Sequence, residues 1–383
     1  MNKNKKVIFL HNIISPYRLP IFDGLAKETN LTVYFCKKTD DNRLWNTNTQ
    51  NYEFRYTILP NFNIGPFVIN YTIPLQVLRD DPDFIIISEN PENALSILLL
   101  ILYSFIFHKK VILLTERIDN EVLTLINLKK SSKKILRVFY FLISFIYVWY
   151  RKFLYFNSKA IITFSDKAKK NLLTEGVKNA KIYNLPQIMP EMLLLMPKAM
   201  KIDVRFEGKT IIFTLCYLTE RKGIDNLIKS FDSLKDDNSV LLIGGTGDYE
   251  DALKSLAKHN ERILFLGYLN DQQKANYYSI ADFFVFPTLY DVWGFVVNEA
   301  LYYGLPVIST SNAGAIEIIE EDSTGYIVEP NNIDELKSKI EYLLKNPQKV
   351  KELKTNVNRM NKSRITDTNE VVKGIASIIK KLT

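Results

Sequence analysis

The sequence predicts an α/β chain of two doubly wound domains, and three observations carry that prediction. Its 383 residues exceed one ordinary core and suit two domains of roughly 180 residues each, by the usual domain sizes. Short apolar runs alternate with amphipathic stretches in both halves, the pattern of a parallel sheet covered on both faces by helices. Midway, Pro186, Pro190 and Pro197 mark an irregular stretch, and the boundary is expected there. The expected division is 1–190, 200–365 and a terminal helix over 366–383.

In the first half, Val-Ile-Phe-Leu before His11 is a short apolar run, so 6–11 is a strand. A helix over 18–29, a strand over 31–36 and a strand over 84–88 follow, the last leading into an apolar helix from Asn93 whose run Ala94 to Phe107 is expected to be buried or, as the alternative, to form part of a membrane-contacting surface. Next come a strand over 111–115, a basic helix and a strand over 160–164. Ser165-Asp166 supplies an N-cap for a helix running to Glu175, which Gly176 closes.

The second half repeats the scheme: a strand over 210–215, a helix over 223–234, a strand over 239–243 and a glycine loop, Gly244-Gly245-Thr246-Gly247. A helix over 250–259, a strand over 263–266 and a helix over 271–279 precede the buried run Asp282-Phe-Phe-Val-Phe-Pro287. A helix from Phe295, a strand over 306–310, a helix starting near Asp334 and a last helix over 370–382 complete the pattern.

Composition narrows the class. The hydrophobic fraction of 47% is globular, and two distant cysteines, Cys36 and Cys216, point to a reducing compartment rather than a disulfide scaffold. The opening apolar run is too short for a secretory leader, and no targeting segment is expected. Charge is shared unevenly. Residues 1–190 hold 26 Lys+Arg against 15 Asp+Glu, a net of +11, whereas 191–383 hold 24 against 27, a net of −3. From Val122 to Ser165 there are eight cations and no acid, with Lys129, Lys130, Lys133, Lys134 and Arg137 ahead of an aromatic apolar run that ends at Trp149-Tyr150-Arg151-Lys152.

That segment admits three readings. A spanning helix is disfavoured, because the apolar run of 13 residues falls short of the ~20 a bilayer needs. An internal helix against the sheet, apolar nearly all round, remains open. A membrane-surface anchor accounts for more, since basic residues at the rim meet anionic lipid while Trp149 and its aromatic neighbours sit at headgroup level. Nucleic acid does not fit, because bulky aliphatics rather than spaced stacking rings separate the cations.

The chemistry concentrates in Asp291-Val-Trp-Gly-Phe-Val-Val-Asn-Glu299 and the Ala-Leu-Tyr-Tyr-Gly304-Leu-Pro306-Val-Ile that follows. A strand, a glycine-bearing loop and a helix from Phe295 aim backbone N–H groups past the strand's carboxyl end, which makes an anion site. Glu299 falls about one turn into that helix, where a carboxylate can accept from a ribose diol, and Asp291 stands on the loop before it.

Two acids eight positions apart, around a Gly-hydrophobic turn and ahead of a Gly-x-Pro-Val strand, resemble the paired-acid signature of glycosyltransferase family 4, the retaining GT-B enzymes. The family pattern has Glu at both ends, and Asp291 departs from it by one methylene. The resemblance implies a GT-B fold, two Rossmann-like domains facing a central cleft, with an acceptor-binding first domain and a donor-binding second. It implies that the first acid touches the hexose hydroxyls, that Glu299 holds the ribose, and that the N–H groups of Gly294, Phe295, Val296 and Val297 bind diphosphate or sugar.

Smaller motifs take their place under the same resemblance. Cys216-Tyr-Leu-Thr-Glu-Arg221-Lys222-Gly223 lies where the family reads Gly-Arg and then Lys-Gly. Lys222 matches, and a fixed cation there stabilises the leaving diphosphate. Tyr217 stands in place of the usual Arg, leaving Arg221 to replace it or to be an ordinary solvated charge. Gly245 and Gly247 let the chain approach the nucleotide and are shape rather than chemistry. Gly267-Tyr268 resembles the turn whose backbone meets the nucleobase, or is a plain exposed turn. Glu317, in a loop that departs from the family by Ala313, orients that loop.

In the first domain, His11, Ser15, Tyr17 and Arg18 follow the first strand and resemble a Pro-Tyr-Arg segment of one branch of the family, which implies contact with acceptor or diphosphate. For His11 a plain strand-end role stands beside that one. Glu116, with Arg117 and Asp119 after it, occupies the place where many relatives carry a His near the reacting carbon.

The activity this implies is transfer of a hexose from a nucleotide diphosphate sugar, expected to be a UDP-sugar, to a hydroxyl of a lipid-linked or oligosaccharide acceptor, with retention and without a metal or other cofactor. The expected setting is cytoplasmic, peripheral on the inner face of the cell membrane. Two alternatives stay open. One is another nucleotide-sugar enzyme of the same fold, a phosphorylase or an epimerase, and the other is a noncatalytic homologue that binds nucleotide sugar.

Overall fold

In the computed structural model, which describes residues 2–39, 49, 51–65, 67–116, 134–198 and 206–383, the chain divides into two compact units. One joins Met1–Pro186 to Thr368–Thr383, and the other is Gln187–Asp367.

The first unit is built on strands β1 (Asn2–His11), β2 (Thr29–Phe35), β3 (Arg55–Ile58), β6 (Phe84–Ser88), β7 (Lys110–Leu114), β8 (Ala160–Thr163) and β9 (Ile182–Asn184), in the order β3-β2-β1-β6-β7-β8-β9. All neighbouring pairs are parallel, with Val7 opposite Leu31 on one side and Phe84 on the other. A small antiparallel hairpin, β4 (Phe62–Ile64) with β5 (Phe67–Ile69), stands apart. Because parallel crossovers are right-handed, the reversal of direction at β1 sorts the helices. Leu19–Glu28 covers one face and packs on Thr368–Leu382, so closely that a Cβ on Gly24 would lie 2.7 Å from Val372 Cγ2. Ile73–Asp80, Ala94–Ile106, Lys134–Asn157 and Asp166–Thr174 cover the other.

The second unit repeats the plan with β10 (Thr210–Leu215), β11 (Ser239–Gly244), β12 (Ile263–Gly267), β13 (Phe283–Phe286), β14 (Val307–Thr310) and β15 (Gly325–Val328), ordered β12-β11-β10-β13-β14-β15 and parallel throughout. Ile212 lies opposite both Leu241 and Phe283. Two apolar clusters fill the space on the two faces of this sheet, one around Leu227, Leu241, Val285 and Ile340, the other around Phe213, Phe284, Val297 and Leu301.

The structure corrects and extends the sequence reading in several places. Strands β3, β4, β5, β9 and β15 and the helices Ile73–Asp80 and Pro347–Arg359 were not expected. The strands among them span only three or four residues, too few for a period-2 pattern to emerge, and each of these two helices opens on a proline in its first turn, a residue that also signals breaks. The helix Ala94–Ile106, expected to be buried, buries Ile97, Leu100 and Ile101 and exposes an opposite stripe of equally apolar residues. The basic segment forms the helix Lys134–Asn157, while Lys129, Lys130, Lys133, Arg117 and Asp119 lie outside the described residues. Among the described residues no helix is long and apolar enough to cross a membrane.

Candidate functional site

In the second unit the strand order reverses between β10 and β13. Loops leaving their carboxyl ends run to opposite sides, and the crevice between them is the usual ligand position in an open parallel sheet. The first loop ends in the single turn Glu220–Lys222. Gly223 follows at φ +64°, where a Cβ would lie 2.2 Å from the Pro287 carbonyl oxygen, so only glycine lets this loop close against the end of β13. Closure brings Lys222 Nζ to Asp291 Oδ2, to which it donates a hydrogen bond, and sets the ammonium 5.1 Å above the Phe286 ring. Arg221 Nη1 lies 3.5 Å from the same oxygen and donates to the Tyr290 carbonyl at 3.1 Å.

Asp291 is therefore a buried carboxylate between two cations, with the Trp293 N–H donating to Oδ1 at 3.3 Å. Burial pushes its pKa up, but Lys222 and then Arg221 outweigh that and hold it below the ordinary carboxylate range. Tyr217, in the place of the family's Arg, turns elsewhere, and its hydroxyl donates to Asp248 at 3.2 Å. Of the three candidates on this loop, Lys222 and Arg221 are the two brought to Asp291.

Gly294 caps the helix Phe295–Tyr302 at φ +104° without a side-chain cap, and a Cβ there would meet Phe286 Cε1 at 2.5 Å. The loop ahead of it is stitched to the next loop by Gly314 N–H to the Asp291 carbonyl at 3.0 Å and Ala315 N–H to the Trp293 carbonyl at 3.0 Å. Trp293 Nε1 donates to Asn298 Oδ1 at 2.8 Å, tying loop to helix. One expectation is corrected here. Val297 N–H donates to the Gly294 carbonyl at 2.9 Å, since the first turn tightens to an i→i+3 bond, so this amide is already engaged within the helix and does not match the ligand-binding expectation for Val297.

Glu299 is buried one turn into this helix. Tyr278 Oη donates to Oε2 at 2.9 Å and Lys274 Nζ stands 3.7 Å from Oε1. Neither partner was singled out from the sequence. They are four residues apart and so share one helix face, which was the available signal, but nothing local says which carboxylate that face meets.

The glycine loop after β11 is held by backbone bonds, Leu218 N–H to the Thr246 carbonyl at 2.9 Å and Tyr249 N–H to the Leu218 carbonyl at 3.0 Å. A Cβ on Gly245, at φ +113°, would lie 1.8 Å from the Cys216 carbonyl oxygen and one on Gly247 2.3 Å from that of Leu218. Both glycines serve close approach of two loops. Gly267 at φ +67° ends β12, and Tyr268 beyond it is exposed.

In the first unit, Arg18 and Glu116, assigned separately from the sequence, form one ion pair through Arg18 Nη2 and Glu116 Oε1. The Arg18 guanidinium is buried 4.6 Å over the Phe164 ring and 5.6 Å from the Tyr17 ring. Ser15 is buried, and its carbonyl accepts from the Arg18 N–H at 2.9 Å. His11 is not a ligand-facing group. Its ring packs among Phe9, Phe22 and Phe35, with centroids 6.1, 5.6 and 6.4 Å away. Burial, aided by Arg18, pushes its pKa down to about 3, so it is neutral at neutral pH.

Comparison with known proteins follows the same lines. Residues 196–360 match the family described as glycosyl transferases group 1. An uncharacterized glycosyltransferase of Methanocaldococcus jannaschii is 35% identical over 139 residues, which is 35% of each chain. A GDP-mannose-dependent monoacylated alpha-(1-6)-phosphatidylinositol monomannoside mannosyltransferase of Corynebacterium glutamicum is 36% identical over 140 residues, covering 34% of this chain and 36% of that one. The matched stretches span between 35% and 52% of the length of the first three curated relatives. Among solved structures, Anabaena HepE in complex with UDP-glucose superposes with a TM-score of 0.73 at 16% identity, over 98% of this chain and 100% of that one. That likeness concerns the fold, which is GT-B.

Proposed function

We propose that the chain, whose residues 196–360 match the group 1 glycosyl transferases, transfers a hexose from a nucleotide diphosphate sugar to a hydroxyl of a polyprenyl-linked saccharide in cell-surface polysaccharide biosynthesis. The observation that carries this reading is the meeting of Lys222, Arg221 and Asp291 at the strand-order reversal, one loop away from Glu299. A diphosphate there meets two cations and the start of a helix, while Glu299 receives the ribose diol.

In the reaction, the bond from the anomeric carbon to the phosphate oxygen breaks and a bond to the acceptor oxygen forms on the same face, which retains the configuration. The acceptor proton passes to a phosphate oxygen of the donor. Charge grows on the leaving diphosphate, and Lys222 with Arg221, already fixed in place, stabilises it without waiting for solvent to reorganise. Arg221 thereby takes the part of the Arg that Tyr217 displaces. Asp291 accepts from hexose hydroxyls, and its ionised state is secured by the same two cations. With two fixed cations at the leaving group we propose metal independence. UDP is the proposed nucleotide, in keeping with UDP-glucose in HepE, and the lipid-linked acceptor is in keeping with the phosphatidylinositol mannoside substrate named for the Corynebacterium relative. The proposed setting is the inner face of the cell membrane, approached through the basic helix Lys134–Asn157.

The test is thermal stabilisation by a panel of nucleotide diphosphates and nucleotide sugars on wild type and Glu299→Ala, followed by UDP release with a lipid-linked acceptor in the presence and absence of a chelator. A shift with UDP that Glu299→Ala abolishes, and turnover indifferent to chelation, is the expected result. Absence of a shift with every nucleotide overturns the donor site, and binding without turnover makes the protein a noncatalytic homologue.

A further inference from the structure

We propose that the first unit binds a sugar phosphate, a phosphomonoester with a hydroxyl-bearing body, in a cavity at the amino ends of β1, β2 and β3. The cavity measures about 580 Å³, within the range of small-molecule sites. None of its lining residues belongs to the site described above.

Strand register builds its floor. Ile8 lies opposite Thr32 and Thr32 opposite Arg55, with Lys6 opposite Asn30 two residues earlier and Tyr34 opposite Thr57 two residues later. Partners in register, and alternate residues along each strand, share one face of the sheet. Lys6, Asn30, Thr32, Arg55 and Thr57 therefore stand on the face that carries Ile8 and Tyr34 into the core. Beneath covering helices that face of a parallel sheet is ordinarily apolar throughout. Here the helix Ile73–Asp80 covers it with Ile73 and Val77 and then ends, and the sheet residues beyond those two are polar. Arg79 and Asp80, at the end of the helix, complete the lining. Phe54 and Tyr56 at the rim alternate with Arg55 and belong to the opposite face, where their rings meet Phe22 and Phe35. The floor thus offers hydroxyl-binding groups rather than a ring on which a base could stack.

Charge selects the ligand. The lining holds the cations Lys6, Arg55 and Arg79 against one carboxylate, Asp80. That carboxylate is already engaged, since Tyr34 Oη donates to Oδ2 at 2.6 Å and Arg79 Nε to Oδ1 at 3.0 Å. The neighbouring acids are engaged as well, Asp81 by Lys109 at 2.7 Å and Asp83 by the Lys6 backbone N–H at 2.9 Å. Arg55 donates through Nη2 to Asn30 Oδ1, a neutral acceptor, so its guanidinium is oriented without being neutralised. Among the described residues neither Arg55 nor Lys6 forms a side-chain ion pair with a carboxylate. An oriented guanidinium with its charge uncompensated, beside a second cation, suits a phosphate group. Asn30, Thr32 and Thr57 supply donors and acceptors for hydroxyl groups.

Its place in the fold separates this cavity from the carboxyl-end loops. From Lys6 to His11 strand β1 rises roughly 17 Å, and the segment from Ser15 to Arg18 follows beyond that far end. The ligand is therefore neither donor nor acceptor. It ties the three strands to the helix Ile73–Asp80 and stabilises the first unit, independently of the donor chemistry.

Calorimetric titration and thermal shift of the full chain with glucose 6-phosphate, inorganic phosphate and glucose, each with and without saturating UDP, test this on wild type, Arg55→Gln and Lys6→Gln. Both side chains are exposed, so both variants are expected to keep the wild-type thermal midpoint and UDP affinity. Wild type is expected to bind glucose 6-phosphate equally well with and without UDP, at least ~10-fold more tightly than inorganic phosphate, and not to bind glucose. Each variant is expected to weaken glucose 6-phosphate ~10-fold, the scale of one hydrogen bond to a charged group. Neither heat nor thermal shift with glucose 6-phosphate overturns the site, as does undiminished binding by both variants. Loss of binding under UDP moves the ligand to the donor site and overturns the proposal, and equal affinity for inorganic phosphate overturns the sugar body. Failure of UDP itself to bind counts against the proposed function and leaves the comparison of wild type with the two variants intact.

Discussion

Tyr278 Oη donates to Glu299 Oε2 at 2.9 Å, and the tyrosine that does so is wholly buried, stacked on Tyr303 with centroids 5.3 Å apart and planes 14° from parallel. Burial, with Glu299 beside it, holds the Tyr278 pKa well above its ordinary value, so it remains a donor across the physiological range. One carboxylate oxygen is thus occupied from within the protein, and Oε1, near Lys274, is left for ligand. Under the proposed function, Tyr278 is a positioning residue for the carboxylate that receives the ribose.

Tyr278→Phe keeps the stack and removes only the hydroxyl. UDP affinity is expected to fall about 5–20-fold, the equivalent of a hydrogen bond to a charged group. A merely structural role weakens ribo- and 2′,3′-dideoxyribonucleotides alike. A positioning role weakens the ribonucleotide selectively, and calorimetric titration of both ligands reads the ratio.

Lys222→Ala removes the cation nearest to Asp291. Turnover is expected to drop about 10²–10³-fold, the usual effect of deleting one stabiliser of developing negative charge. UDP binding should weaken far less, because the charge of the product diphosphate is shared with Arg221 and the helix start. Steady-state rates measured beside UDP affinity separate the two effects, and equal losses in both would place Lys222 in ground-state binding alone.

The alternation of strands and helices was legible because each apolar run is bounded by turn residues, and the Asp291 to Glu299 segment was legible because acid, glycine and helix start lie within nine consecutive positions. The partners of those acids were not. Lys222 and Asp291 are 69 residues apart, Tyr278 and Glu299 21, and only the strand order brings the first pair together. Arg18 and Glu116, 98 positions apart, were each assigned to ligand separately, and the fold brings them together as one ion pair. For Ala94–Ile106, all-round apolarity normally means burial, and sequence alone does not distinguish a covered outer face from a bare one.

His11 gives the first unit a pH-dependent stability. Its folded pKa of about 3 lies below the ordinary value of 6.5, so between those two values the unfolded chain binds the extra proton. Its contribution is therefore complete above pH 6.5 and is lost as pH falls toward 3. His11→Phe fits the same aromatic cage without a titrating group. Between pH 7 and pH 5, thermal midpoints of the wild type are expected to fall more steeply than those of the variant, and parallel curves would remove His11 from the acid sensitivity.

Arg151 fixes the root of the basic helix to the sheet. Its Nε lies 2.8 Å from Glu89 Oε1, its Nη2 3.7 Å from Glu175, and both charged partners of the closer pair are almost wholly buried. Glu89, just past β6, also accepts from Thr115 at 2.6 Å and from Tyr147 and Tyr155 at 3.2 Å. The two substitutions that break this pair are not equivalent. Arg151→Met leaves Glu89 with three hydroxyl donors, whereas Glu89→Gln leaves a buried guanidinium facing a neutral amide and a more distant carboxylate. Removing one partner of a buried pair costs about 3–5 kcal/mol, and Glu89→Gln is expected at the upper end with Arg151→Met below it. Urea unfolding gives the order. A stability loss confined to the first unit leaves the UDP-induced thermal shift of the second in place, and a reversed order would mean that the hydroxyl donors, rather than Arg151, carry the compensation of Glu89.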